Sequence, residues 1–120
     1  MTETSDGAPA APLNAVDQGI ADAMRVYELV PEFARIRRET LLADVWERPE
    51  LAPRDKSIVT CTVLAVLGKM DELGAHLRKA SENGVTDEEI RGMVVQIAFY
   101  AGWPAGLGFG KAALEILDKK

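Results

Sequence analysis

The sequence predicts an all-α fold, a single-domain bundle of about six helices. Apolar residues recur at three- and four-residue steps over most of the chain. Helix-starting and helix-stopping residues punctuate that pattern at regular intervals, and only one apolar run also permits a strand. A chain of 120 residues suits one domain, and 48% hydrophobic with 28% charged residues provides both a core and a wettable surface.

Residues 1–13 are rich in Thr, Ala, Pro and Gly and carry little bulky apolar content, so they bury too little surface to offset their ordering entropy. A mobile tail is expected there, and a helical domain over 14–120. Val16, Ile20, Ala23, Met24 and Tyr27 mark a first amphipathic helix. Phe33, Ile36, Thr40, Leu41 and Val45 mark a second, after Pro31. Pro49 and Pro53 then impose a loop of fixed shape, with Pro53 suited to the first turn of the next helix. From Arg54 to Leu67 the residues are apolar on nearly every side, which predicts a helix at the centre of the bundle. Its β-branched residues would also allow a strand, but its length favours a helix.

Gly68 ends that helix, and Asp71 is the expected N-cap of the next, which runs through Leu73, His76, Leu77 and Ala80 to the stop at Asn83-Gly84. Thr86-Asp-Glu-Glu89 reads as a capping box opening a helix over Asp87 to about Ala101. Gly102-Trp-Pro104 interrupts it, and a final helix from Pro104 should reach Leu117. Gly106, Gly108 and Gly110 alternate within it and point to a close helix or subunit contact. A phosphate-binding glycine loop would need a preceding strand and a following lysine with serine or threonine, neither of which is here.

The net charge of −5 is spread without a basic run, which argues against nucleic-acid or polybasic membrane partners. No basic segment followed by an apolar one opens the sequence, and the run from about Ile58 to Leu67 is too short to cross a bilayer, so a cytoplasmic location is expected. The lone Cys61, within an apolar stretch, reads as core. One histidine with scattered carboxylates forms no recognisable metal-ligand set.

Four stretches carry a resemblance: Asp44-Val-Trp-Glu-Arg-Pro49, Arg54-Asp-Lys-Ser-Ile-Val-Thr60, Glu72-Leu-Gly-Ala-His-Leu-Arg78 with Asn83-Gly-Val-Thr86, and Ala98-Phe-Tyr-Ala-Gly-Trp-Pro-Ala105. In this order, over about Val30 to Leu117, the chain resembles the carboxymuconolactone decarboxylase family, in its decarboxylase branch. The resemblance implies an AhpD-like helical bundle assembled into a symmetric homo-oligomer, a trimer or hexamer, with active sites near subunit contacts. The same fold serves a branch of disulfide reductases with two cysteines and a histidine. Aligning that histidine with His76 puts Lys69 and Glu72 at the cysteine positions and Ser57 at an upstream glutamate, so thiol chemistry is excluded at this site.

The resemblance further implies cofactor-free decarboxylation of a small carboxylated lactone in aromatic-compound catabolism. Electrons released with carbon dioxide flow through the ring double bond to the lactone carbonyl, so the substrate is its own electron sink. The protein then has to orient carboxylates, stabilise an enolate oxygen and return a proton to carbon. His76, the only side chain that titrates near neutrality by its ordinary pKa, is the candidate proton donor or enolate stabiliser. Glu72, one turn earlier, can orient it, and Asp44 can relay a proton. Arg48 and Arg78 are candidate carboxylate binders, with a surface ion pair as the alternative for either. Trp46, Tyr100 and Trp103 can wall the pocket, or belong to core or interface.

Two departures qualify the match. Glu50 stands where these decarboxylases tend to carry glycine, adding negative charge beside Arg48, and Asp44 stands where relatives carry the longer glutamate. Alternatives to decarboxylation are therefore an isomerase or lactonase acting on another small acid through His76, or a non-catalytic oligomeric subunit that binds a small ligand.

Overall fold

The computed structural model describes residues 12–119; of the tail expected over residues 1–13, residues 1–11 lie outside them, and Pro12 and Leu13 are exposed and outside any helix. Seven α-helices and two tighter or wider helical turns make up the described chain, with no strand among these residues. Helix α1 (Ala15–Leu29) starts at Asn14, whose side chain accepts the Asp17 N–H at 2.8 Å. Helix α2 (Pro31–Ile36) has proline in its first turn and runs directly into a π-helical turn, Arg37–Leu42. A 3₁₀ turn, Val45–Glu47, follows. The second predicted helix is thus three short pieces, because the wider hydrogen-bond ladder, with Ala43 N–H donating to Arg38 O at 3.1 Å, breaks the α-helical register.

Helices α3 (Pro53–Val66) and α4 (Met70–Glu82) pack side by side, and α5 (Asp87–Ala101) packs along α6 (Trp103–Ala112). The residue before α4 is Lys69, whose side chain makes no cap, so the expected Asp71 cap is instead an acid within the first turn. Gly84 at φ +99 stops α4, and the capping box at Thr86 and Glu89 is formed in both directions. Gly102 at φ +110 makes the corner between α5 and α6.

The final helix does not reach Leu117 unbroken. Ala113 leaves the α-helical path, its N–H shared between Phe109 O and Gly110 O, and α7 (Leu114–Leu117) continues at an offset. No glycine or proline marks the spot. Ala113 and Ile116 both lie in the core.

Leu73, Leu77, Ile90, Cys61 and Phe109 form the centre of that core. Helix α3 contributes only Ser57, Cys61 and Ala65, while Val59, Val63, Val66 and the following Leu67 are about half exposed or more, so α3 is not enclosed on all sides as its sequence suggests. Helices α1 and α2 bury no residue at all, and Ile20, Met24, Phe33 and Ile36 face outward within the protomer. Gly106 explains the close packing of α5 on α6: a Cβ added there would lie 2.6 Å from Ala98 Cβ and 2.8 Å from Val94 O. Gly110 has open space by comparison, its nearest neighbour being a Val94 methyl at 3.7 Å.

Candidate functional site

His76 sits midway along α4, on a face set beside but distinct from the Leu73–Leu77 core stripe, and is half-buried. Its cover comes from the 3₁₀ turn. The Trp46 indole lies nearly parallel to the imidazole, at 16° and 6.3 Å between ring centroids. Burial holds the His76 pKa below its ordinary 6.5, the Glu72 charge one turn away pulls it back up, and Lys79 pushes it down again. The imidazole is therefore neutral at neutral pH, with one N–H to donate and one nitrogen able to accept.

Arg48 and Asp44 lie on the same turn as Trp46 and pair with each other. Arg48 Nε is 3.1 Å from Asp44 Oδ1 and its Nη2 donates to Oδ2 at 3.4 Å, a two-point clasp on the protein's own carboxylate. Both side chains remain more than half exposed. Trp46, His76 and Glu72 thus form one neighbourhood, with Asp44 and Arg48 on the turn that supplies the indole.

Arg78 belongs elsewhere. Two residues from His76, it leaves α4 in another direction. Its Nη1 donates to Asp17 on α1 at 2.6 Å, and its Nε and Nη2 donate to the two Glu115 oxygens at 3.0 and 3.2 Å. It ties α1 and α7 to α4. Tyr100 is 86% exposed and Trp103 66% exposed, the latter edge-on to Phe99, so neither walls a pocket within the protomer.

The sequence offered no chemical role for Lys56, yet its ammonium donates to the carbonyl oxygens of both Trp46 and Arg48 at 2.6 Å. Cys61 is fully buried and its thiol pKa is pushed up to about 12, which removes it from thiolate chemistry. Ser57, also buried, accepts from Asn83 Nδ2 at 3.0 Å and links α3 to the end of α4.

Among the hollows on the surface of the described residues are two between helices. One, of about 480 Å³, lies between α1, α4 and α6 and is lined by Val16, Met70, Gly74, Gly108 and Lys111 among others; the second, of about 340 Å³, lies beside Arg78 and Glu115. His76 lines neither of these two. Among the described residues no cluster of three His, Cys, Asp or Glu side chains could hold a metal ion, and no helix is long and apolar enough to cross a membrane.

The sequence profile of the carboxymuconolactone decarboxylase family matches residues 31–115. A 4-carboxymuconolactone decarboxylase of Acinetobacter baylyi is 45% identical over 62 residues, which is 52% of this chain and 46% of that protein. A nitrosuccinic acid decarboxylase, npaB, of Metarhizium robertsii is 41% identical over 61 residues, 51% of this chain and 43% of that protein. The matched stretches thus span a little under half the length of each of these relatives.

Proposed function

From the premise that the chain belongs to the carboxymuconolactone decarboxylase family, we propose that it is a carboxy-lyase which removes carbon dioxide, without a cofactor, from a small acid resembling 4-carboxymuconolactone. The observation that carries this reading is the half-buried, neutral His76 under the Trp46 indole, beside a turn bearing an arginine. Loss of carbon dioxide leaves an electron pair that must travel to an oxygen of the substrate. A neutral imidazole N–H aimed at that oxygen stabilises the charge as it develops, in surroundings where the Trp46 ring keeps water off one face. The substrate carbon then takes a proton from solvent through a water beside the ring, because a neutral imidazole that gave up its own N–H would be left as imidazolate. Glu72 biases the imidazole through its charge, and Arg48 exchanges its hold on Asp44 for a substrate carboxylate.

Both relatives are named as decarboxylases. Their substrates, as named, are an unsaturated lactone acid and a nitro-substituted diacid. The shared chemistry is a carboxylate placed so that its electrons can enter a neighbouring electron-withdrawing group. We therefore place the substrate class in small polyacids of that kind, with a role in aromatic-compound catabolism for the lactone and a cytoplasmic setting. The second relative favours, as the next candidate, an acid whose sink is not a lactone.

The half-buried His76 and the outward apolar residues of α1, α2 and α3 support a homo-oligomer, trimer or hexamer, in which a second copy closes the site. Tyr100 and Trp103 would then line a contact between copies.

The test is the disappearance of lactone absorbance when 4-carboxymuconolactone is offered to the wild type and to His76→Ala. We expect turnover by the wild type and a loss of about 10²–10⁴-fold in the variant. Equal rates in the two proteins exclude the assigned role of His76.

A further inference from the structure

The 3₁₀ turn that supplies Trp46 buries no residue of its own, and its last hydrogen bond, from Arg48 N–H to Val45 O, is long at 3.4 Å. Something outside it must hold its shape. Arg48 itself is extended, at φ −68 and ψ 140, as a residue before proline prefers. Pro49 therefore fixes the exit from the turn but not where the turn sits on α4.

We propose that Lys56 is the positioning residue for the His76 site, its ammonium clasping the Trp46 and Arg48 carbonyl oxygens so that the indole stays against the imidazole. Lys56 stands on the first turn of α3, next to Ser57, which is 1% exposed and bonded to Asn83. That makes it a post rooted in the core. Its ammonium has three N–H donors, and two of them meet carbonyls two residues apart at 2.6 Å, the short end for a charged donor. Among the described residues no carboxylate oxygen lies within ion-pair distance of it. Its charge is directed at the turn. The link to turnover rests on the proposed role of His76; the link to the geometry of the ring stack does not.

The single histidine makes this testable without substrate, because tag-free full-length protein gives one imidazole Cε1–H resonance. The charges acting on that ring are Glu72 and Lys79, both on α4, and the group packed on it from the turn is the uncharged Trp46 indole. In the wild type we expect a titration midpoint below 6.5, with the resonance displaced by the ring current of the indole. In Lys56→Met the turn leaves α4. The midpoint then moves toward 6.5 and the displacement disappears, with the helical circular dichroism retained. Lys56→Arg, whose planar fork can reach both carbonyls, restores both signals. Lys56→Gln, which keeps two N–H donors on a shorter and uncharged side chain, gives intermediate values and serves if Lys56→Met does not fold.

On the proposed substrate, Lys56→Met should lower kcat by up to about 10²-fold, as expected when a reacting group is misplaced by an ångström, with Lys56→Arg again recovering it. Wild-type titration and ring-current shift in both Lys56→Met and Lys56→Gln overturn the proposal. A variant-dependent titration in a protein that leaves the lactone untouched upholds the positioning role and dismisses the substrate instead.

Discussion

His76 and Arg78 stand two positions apart on α4, and only His76 lies beside the Trp46 turn. The sequence presents both inside one motif, and nothing near either residue separates them. What decides is a pair of carboxylates far along the chain: Asp17, 61 positions away, and Glu115, 37 positions away. Local pattern cannot show such partners. Arg78→Met should therefore lower the melting temperature while leaving KM for the substrate unchanged, which thermal unfolding and steady-state kinetics measure separately. His76 was singled out by its type alone, and it lies beside the Trp46 indole. Its lowered pKa means that the unfolded chain binds the proton more readily, so this group's contribution to stability holds above pH 6.5 and is lost as pH falls below it. Denaturant titrations from pH 8 to pH 5 should show that loss in the wild type and a flatter profile in His76→Gln. Cys61 was legible as core from its apolar neighbours. With its pKa at about 12, it should stay unreactive to thiol reagents at pH 8 until the protein unfolds.

Capping chemistry made α5 the best-specified element, because Thr86 and Glu89 complete their reciprocal bonds within four residues and need no tertiary partner. Glu89 also binds Arg54 on α3, and that hydrogen bond, with the Thr86 N–H, holds its carboxyl pKa at about 2. The sign follows directly: the contribution is present above 4.5 and disappears as pH falls from 4.5 toward 2. The alternating glycines of α6 were read as a close contact, and the contact is real at Gly106. Gly106→Ala should destabilise by about 1–3 kcal/mol through overpacking against Ala98 and the Val94 carbonyl, despite the gain in helix propensity. Gly110→Ala meets no such obstacle and should be neutral or stabilising by up to about 1 kcal/mol. Paired thermal melts decide between these. The break at Ala113 and the π turn after Ile36 were not legible, since neither carries a glycine or proline to mark it.

Across the whole molecule, the pattern of apolar residues showed which faces are apolar but not which of them the chain itself covers. Helix α3 is apolar nearly all round, and one side of it meets the protomer's own core while the other faces out. The radius of gyration, 16.3 Å, exceeds the roughly 13–14 Å expected of a domain this long, in keeping with an α1–α2 arm that lies outside the main cluster. Light scattering should accordingly find a mass that is a small multiple of 13.0 kDa. The arm has a sharper consequence. A helix of fifteen residues that buries none of its own side chains, and meets the rest of the chain mainly along α4, is marginal by itself. If its cover is a neighbouring molecule, dilution acts on this protein as a denaturant does, and its melting point climbs with concentration as mass action requires.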